Sequence, residues 1–207
     1  CYPHLGKGNK ILADKAATDV MRYNLNKLNI NAEVVIGEGE LDEAPMLYIG
    51  EKLGNTKGKK IDIAVDPVEG TNFVAKNLPG AISVLAISER GDLFKAPETY
   101  MNKIAFGQNI PKDIIDLDNT IEKNIKNLSD YKNKKIKDIT VCLLNRDRHF
   151  EIINSIKKIG AKIKLIKDGD VAGALLVSDK KFNVDIFVGI GGGPEGVIAA
   201  SALDAMN

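Results

Sequence analysis

The chain has few of the residues that form covalent crosslinks or imidazole metal sites. It contains two cysteines, Cys1 and Cys142, and two histidines among 207 residues. Two cysteines provide no disulfide framework, so we expect a protein of a reducing compartment, the cytoplasm. His149 has no histidine or cysteine partner in the surrounding sequence, and we therefore predict no metal site there.

An excess of charge of one sign is also absent. Lysine and arginine number 29 and aspartate and glutamate 28, which leaves a net charge of +1. These nearly equal numbers of basic and acidic residues indicate neither a basic groove for nucleic acid nor a charged surface for membranes. We therefore expect no partner of either class. No hydrophobic run approaches the length of a membrane span, and we find no secretory signal peptide.

The chain opens on Cys1 rather than methionine, and it ends at Asn207 within an apolar, helix-like run. We therefore expect a fragment of a longer protein. At 207 residues the chain is long enough for a substantial core, in one domain or two.

The stretch IDIAVDPVEGTN, residues 61–72, is the most informative in the chain. β-Branched residues alternate over 61–65 and predict a strand. We expect this strand to end at Asp66-Pro67, because proline donates no ladder hydrogen bond and restricts the residue before it. A tight turn over 68–70 would follow and bring Asp66, Glu69 and Thr71 together in one polar loop.

Two carboxylates and a hydroxyl held so closely favour a bound cation, because the two anions otherwise repel each other. Hard oxygen ligands of this kind suit Mg²⁺ or Mn²⁺ better than zinc. Taken alone, the motif is equally compatible with an ordinary surface turn, since Asp-Pro and Glu-Gly pairs are common in turns.

A second acidic loop, GEGELDEAP at 37–45, follows a short predicted strand at 34–36. In an extended segment Glu38, Glu40 and Asp42 face the same side, because side chains alternate. The spacing is not that of an EF-hand, which needs glycine at the position of Glu43 and glutamate at that of Ile49. A solvated acidic turn would explain this loop alone. Two such loops, each after a strand, favour a shared metal centre.

The rest of the chain predicts regular structure. An amphipathic helix over 10–29 places Lys10 and Asp14 on one face, where an exposed ion pair is the ordinary outcome. A hairpin is expected from strand 81–88 through a turn at 90–92 into 93–95, and a surface helix over 120–130. Strands at 139–144, 162–166 and 184–188 alternate with helices at 147–159, 170–177 and 195–206. Such alternation predicts a parallel α/β sheet.

Polar residues follow these last strands, at the carboxyl ends where parallel sheets bind ligands. Arg146 and Arg148 at a helix start suit a phosphate, although a solvated basic turn is also possible. Asp168 and Asp170 suit sugar hydroxyls, or one of them caps the next helix.

The third strand ends in GIGGGPEG, whose glycines at 191, 193 and 196 weakly suggest a dinucleotide site. Glu195 argues against that interpretation, because its charge would stand beside the pyrophosphate.

Six motifs, read in order, resemble those of class II fructose-1,6-bisphosphatase. They are GEGELDEAPMLYIGEKLG, IDIAVDPVEGT, LPGAISVLAI, APETYMNKIAFG, DGDVAGAL and GIGGGPEGV. That family belongs to the Mg²⁺-dependent, lithium-sensitive sugar and inositol phosphatases, and the resemblance covers essentially the whole chain. It implies an α/β fold, a layered α-β-α sandwich of the sugar phosphatase type.

The resemblance also implies a division of the chain. Residues 1–115 would form an N-terminal α+β domain with the metal loops. Residues 116–207 would form a parallel α/β domain that binds sugar phosphate, truncated at its carboxyl terminus because class II members continue well beyond this point. A shift to polar residues over 108–119 supports a boundary there.

The family pattern assigns roles to residues at matching positions. As ligands of Mg²⁺ or Mn²⁺ it implies Asp14, Glu38, Asp66, Glu69 and Glu195. As catalytic residues we expect Lys10, Glu40, Asp42 and Thr71. As substrate-binding residues it implies Glu69, Gly70, Thr71, Tyr100, Arg146, Asp147, Arg148, Asp168, Gly169, Asp170 and Gly192.

The activity that the resemblance implies is hydrolysis of the 1-phosphate of fructose 1,6-bisphosphate to fructose 6-phosphate and phosphate, in gluconeogenesis. We expect a homo-oligomer whose partner is a small sugar bisphosphate. Alternatives are a sedoheptulose-1,7-bisphosphatase, an inositol-phosphatase-like enzyme, and a non-catalytic relative that binds metal or metabolite.

Overall fold

A computed structural model describes residues 1–38 and 47–206. The chain forms two compact units: Cys1–Thr99 with Gly193–Ala202, and Tyr100–Gly192 with the residues from Leu203 onward. This division differs from the predicted boundary at 115/116, because the strand that starts at Tyr100 pairs within the second unit. Whether the ranges 1–115 and 116–207 fold as separate domains stays a prediction.

The first unit is built on a mixed sheet. After a short 3-10 helix, Tyr2–His4, its elements are α1 (Lys10–Leu25), β1 (Ile30–Ile36), β2 (Lys52–Leu53), β3 (Lys59–Glu69), α2 (Thr71–Ala75), β4 (Ile82–Glu89) and the start of α6 (Gly193–Ala205). The strand order is β2-β1-β3-β4, with β3 parallel to β1 and antiparallel to β4. The predicted helix from residue 10 and the strand at 81–88 are therefore confirmed in type, with bounds shifted by a few residues.

The core of this unit lies around β3, which is buried because strands flank it on both sides. Side chains from α1, β1, the segment before β2, β2 itself and β3 pack together there: Leu25, Ala32, Val34, Leu47, Leu53, Ile61, Ile63 and Val65. Burying such aliphatic side chains is the main source of stability in a unit of this size.

The prediction that the strand ends at Asp66-Pro67 is wrong. Strand β3 continues to Glu69 through a bulge: Asp66 pairs with Val84 and Glu69 with Ile82, which leaves one extra residue on β3. A bulge accommodates Pro67 because it removes the need for a ladder N–H at that position. The turn is confined to Gly70, whose φ of 81° is left-handed.

The predicted strand at 93–95 is also wrong, since these residues form no strand in the described part of the chain. The turn before it bonds to β3 instead of starting a hairpin. The backbone N–H of Gly91 donates to Asp62 Oδ2 at 2.7 Å, and Arg90 Nε lies 3.1 Å from Asp62 Oδ1.

The second unit is also a sheet with helices. Its elements are β5 (Tyr100–Phe106), α3 (Ile121–Lys132), β6 (Thr140–Leu144), α4 (Phe150–Ile159), β7 (Lys162–Ile166), α5 (Asp170–Leu175), β8 (Ile186–Gly192) and the end of α6, with 3-10 turns at Ile136–Asp138, Asp147–His149 and Lys180–Phe182. The strand order is β5-β8-β6-β7, and β6 is parallel to both neighbours.

The predicted alternation of strands and helices is thus confirmed, but the wholly parallel sheet is not. Strand β5 pairs antiparallel with β8 over seven residue pairs, which also extends β8 to Gly192, beyond the predicted end at residue 188. The core is aliphatic and includes Ile125, Leu128, Ile139, Val141, Leu143, Ile156 and Ile186. Of the helices that the structure describes, none combines the length and apolarity needed to cross a membrane.

The Arg90–Asp62 contact supplies a test of the first unit. Asp62 is 1% exposed within β3, so Arg90→Met leaves a buried carboxylate without its cation. We expect the free energy of unfolding to fall by about 3 kcal/mol, measured by urea denaturation. Lys59→Met is the matched control, because it removes an exposed pair with Glu89 and should have a far smaller effect. Equal losses in both variants would contradict the assignment.

Candidate functional site

Acidic side chains from separate segments of the first unit converge near the carboxyl ends of β1 and β3. Those ends share one edge of the sheet because the two strands are parallel. The residues are Asp14 in α1, Glu38 two residues after β1, Asp66 at the β3 bulge, Glu69 at the end of β3 and Glu195 in the first turn of α6.

Local structure fixes two of these positions. Helix α1 begins with Asn9 as its cap, whose side chain accepts a hydrogen bond from the Leu12 N–H at 3.0 Å. Glu38 is held by its backbone N–H, which donates to the Leu47 carbonyl at 2.9 Å. A Cβ on Gly37 would lie 2.0 Å from the same carbonyl oxygen, so only glycine allows this approach.

Glu38 and Asp14 form one repelling pair. Burial is the main cause that raises the pKa of Glu38 to about 8, and the charges of Asp14 and Asp66 add to it. Burial likewise raises the pKa of Asp14, against a hydrogen bond with Glu38 that lowers it. Thr18 donates a long hydrogen bond of 3.4 Å to Glu38 Oε2.

Asp66 lies at the centre of the group. Burial first, then the charge of Glu69, and then those of Asp14 and Glu195 raise the pKa of Asp66 to about 7. The N–H of Val68 opposes this shift by donating to Asp66 Oδ1 at 3.0 Å. Glu69 itself is only 5% exposed. The neighbourhood of Glu38 and Asp66 that the metal-centre interpretation required is therefore present.

The carboxylate oxygens of this group are the ligand type that a hard divalent cation prefers. The side chains do not, however, surround one common position as a complete set of ligands would. Within residues 1–38 and 47–206, no three aspartate, glutamate, histidine or cysteine side chains are arranged to hold one metal ion. Asp14 Oδ1, however, is buried and accepts no hydrogen bond from the described residues. A buried carboxylate oxygen without a donor, beside further carboxylates, suits Mg²⁺ or Mn²⁺.

Of the four residues predicted to be catalytic, the structure describes two, Thr71 and Lys10. Thr71 is the first residue of α2, half-buried and two residues beyond Glu69. Lys10 is the first residue of α1 and exposed, and the ion pairs found in the described ranges do not include Lys10 with Asp14. Glu40 and Asp42 lie outside the described residues.

In the second unit, the predicted substrate residues gather at the carboxyl ends of β6, β7 and β8. Arg146 donates to the Lys167 carbonyl at 2.6 Å and to Asp168 Oδ1 at 3.1 Å, so a predicted phosphate ligand and a predicted sugar ligand pair with each other. Asp147 follows as an exposed residue, and Gly169 has a left-handed φ of 89°.

Tyr100, Arg148 and Gly192 form a second group in that unit. Tyr100 pairs with Gly192 across β5 and β8, and the Arg148 guanidinium lies 4.9 Å from the centroid of its ring. Arg148 Nε also donates to the Ile190 carbonyl at 2.6 Å. These contacts hold Arg148 along the end of β8.

Two buried polar residues beside this group were not predicted. His149 is fully buried, accepts a hydrogen bond from the Ile190 N–H at Nε2 (2.8 Å) and lies 2.8 Å from the Leu144 carbonyl through Nδ1, so it joins the ends of β6 and β8. Lys103 in β5 contacts Asp170. The sequence offered one signal, a lysine within the apolar run of a strand.

The raised carboxyl pKa values predict the pH dependence of the metal-free protein. The folded chain retains protons on Asp66 up to about pH 7 and on Glu38 up to about pH 8, whereas the unfolded chain releases them near the ordinary carboxyl range. The free energy of unfolding should therefore fall as the pH rises through that interval.

Urea denaturation in a chelator measures this fall. We expect the double variant Glu38→Gln/Asp66→Asn to flatten the dependence of the free energy of unfolding on pH. Mg²⁺ added to the unaltered protein without chelator should raise the free energy of unfolding most at the alkaline end of the pH range. Glu98→Gln, at an exposed position, is the control and should leave the profile unchanged. A flat profile in the unaltered protein would contradict the electrostatic description.

Comparison with known proteins identifies the family. The whole chain, residues 1–207, matches the family described as bacterial fructose-1,6-bisphosphatase, glpX-encoded. Over 99% of the chain it is 47% identical to a Haemophilus influenzae protein named fructose-1,6-bisphosphatase class 2. Over 98% of the chain it is 44% identical to a Thermosynechococcus vestitus protein named D-fructose 1,6-bisphosphatase class 2/sedoheptulose 1,7-bisphosphatase.

Among solved structures, the chain is similar to one titled extragenic suppressor from Pyrococcus furiosus, with 13% sequence identity. The match covers 86% of this chain and 61% of that one, and its TM-score of 0.38 is too low to support an argument. The chain spans 61% of the length of the two relatives named above. The match over all its residues nevertheless shows that the chain belongs to the glpX-encoded bacterial fructose-1,6-bisphosphatase family.

Proposed function

We propose that the protein is a metal-dependent phosphatase that hydrolyses the 1-phosphate of fructose 1,6-bisphosphate, releasing fructose 6-phosphate and phosphate. The observation that carries the proposal is the group of mutually repelling carboxylates around Asp66, of which Glu69 is buried and the others are half-buried. Together with membership of this family, such a group supports a role in binding divalent cations at a phosphate-cleaving centre.

In this proposal the carboxylates of Asp14, Glu38, Asp66, Glu69 and Glu195 hold Mg²⁺ or Mn²⁺. Bound cations would supply charge neutralisation at the phosphate and a more acidic water. Thr71 would donate or accept a hydrogen bond that orients the nucleophile, since it begins α2 two residues after Glu69, the last residue of β3. Glu40 and Asp42 are the proposed acid and base, by position in the acidic loop.

The predicted substrate residues of the second unit are proposed, taken by themselves, to bind sugar phosphate. Arg148 presents a guanidinium that its contacts with Tyr100 and Ile190 already orient, which lowers the entropy cost of binding a phosphate. Arg146 and Asp168, already paired, offer a donor and an acceptor side by side. Asp168 and Asp170 would accept hydrogen bonds from sugar hydroxyls.

A second activity, on sedoheptulose 1,7-bisphosphate, is favoured by the name of the Thermosynechococcus relative, which includes sedoheptulose 1,7-bisphosphatase. Both substrates carry a 1-phosphate on a ketose, so the same carboxylate group would serve either. They differ by one carbon between the phosphates, and the second unit would have to tolerate that difference.

The proposed metal centre is tested by Asp66→Asn in the full-length protein. We expect at least a thousandfold loss of Mg²⁺- or Mn²⁺-dependent phosphate release from fructose 1,6-bisphosphate, on the order expected for loss of a central metal ligand. The variant should unfold no more easily than the parent in chelator, because it removes a repelling charge. Asp92→Asn, at an exposed position of the same unit, is the control. Retained turnover in Asp66→Asn would refute the assignment.

Substrate choice is tested by a panel under one set of conditions. We expect kcat/KM to be highest for fructose 1,6-bisphosphate or sedoheptulose 1,7-bisphosphate and lower by at least about tenfold for inositol 1-phosphate, which lacks a second phosphate for the arginines. Equal turnover of all three would show that the second unit does not select a bisphosphate. No release of phosphate from any of them would favour a non-catalytic relative.

A further inference from the structure

A buried ion pair lies in the second unit next to the proposed sugar-binding residues. Lys103 belongs to β5 and Asp170 is the first residue of α5, and Lys103 Nζ contacts Asp170 Oδ2. The two side chains are 8% and 11% exposed. Such a pair is costly to bury and is weak evidence for stability by itself, so its position calls for another explanation.

Asp170 carries one oxygen without a hydrogen bond. Its Oδ1 is buried and receives no hydrogen bond from any residue in the described ranges. The large majority of buried side-chain polar atoms in proteins have a hydrogen-bond partner, because leaving a buried acceptor without a donor is costly. The free oxygen therefore points to a donor that a ligand would bring.

The absence of a side chain at Gly191 leaves space for the Lys103–Asp170 pair. A Cβ at Gly191 would lie 2.5 Å from Asp170 Oδ2 and 3.2 Å from Lys103 Nζ. Strand β8 runs beside β5 here, with Met101 opposite Gly191 and Lys103 opposite Gly189, so both glycines lie on the face of the sheet that carries Lys103. This explains the first glycine of the G-x-G-x-x-G pattern without a dinucleotide.

We propose that Lys103 is a positioning residue, which neutralises and orients Asp170 so that Oδ1 accepts a hydrogen bond from a hydroxyl of the substrate's sugar. The proposal rests on the proposed function. Without the ammonium group, the buried carboxylate would lose the contact that balances its charge and fixes its orientation. Lys103 acts through Asp170 and not by touching the reacting phosphate, so its effect should be confined to substrates with a sugar.

The test compares Lys103→Met with Lys103→Arg in the full-length protein with Mg²⁺. We expect KM for fructose 1,6-bisphosphate to rise about ten- to hundredfold in Lys103→Met, the range for a hydrogen bond to a charged group, with a smaller change in kcat. Lys103→Arg restores the charge and should bring KM to within about fivefold of the parent. Turnover of p-nitrophenyl phosphate, which has no sugar hydroxyl, should stay unchanged in both.

Two variants separate positioning from general damage. Gly191→Ala removes no functional group but displaces the pair, so it should raise KM in the same direction as Lys103→Met. In a double-mutant cycle, Lys103→Met should add little once Asp170→Asn is present, because both act through one carboxylate.

Lys132→Met is the matched control. It removes a partly buried lysine paired with Asp185 at 2.6 Å, and Asp185 also accepts from the Thr140 N–H at the opposite end of β6. We expect some loss of stability and no change in KM.

The outcomes are separable. An unchanged KM in Lys103→Met overturns the proposal, as does an equal loss with p-nitrophenyl phosphate, which would indicate a structural role. If the unaltered protein releases no phosphate from sugar phosphates, the proposed function fails. Calorimetry with fructose 6-phosphate then decides on Lys103: weaker binding to Lys103→Met than to the parent supports its role, whereas equal or absent binding overturns it.

Discussion

The repulsion among the carboxylates around Asp66 is the constraint on which the rest of the first unit depends. Asp66 meets the charges of Glu69, Asp14 and Glu195, and Glu38 meets those of Asp14 and Asp66. This repulsion opposes folding, so its cost must be offset by the aliphatic core and the β3 ladders on either side. A bound divalent cation would reverse the sign of that contribution, which makes stability and metal affinity two measures of one interaction.

Outside this group, several buried charges of the unit have partners. Arg22 binds Glu51 through two hydrogen bonds, 2.6 Å and 3.1 Å, which ties α1 to the segment that follows residue 46. Arg90 lies against Asp62 and donates to the Asn31 carbonyl at 2.9 Å. The fold therefore places cations beside acids that build the sheet, whereas around Asp66 it brings several acids together. Such a contrast is typical of a functional site, where local stability is given up for chemistry.

The sequence predicted most elements of the fold because their signals are local. Alternation over 61–65, and alternating strands and helices after residue 139, do not depend on distant partners. The bulge at Pro67 and the antiparallel edge strand β5 do depend on them: both are consequences of register with β4 and β8, which no short pattern encodes. A shared cation site at Asp66, Glu69 and the loop of Glu38 was predicted from two acidic loops that each follow a strand, whereas Asp14 and Glu195 joined the set only through motif resemblance.

The same reasoning explains why Lys103 was not predicted. Its partner is 67 residues away in the sequence, and a lysine in a strand is ordinarily an exposed one. Only the fold shows that Gly191 of the neighbouring strand β8 leaves space for the pair and that one Asp170 oxygen has no hydrogen bond from the described residues. In the second unit, then, Arg146, Arg148 and Lys103 are all held by protein acceptors or an aromatic ring before any ligand arrives. Charges that are already oriented lose little freedom on binding, so selectivity for the sugar would arise from groups fixed in advance and not from charge alone.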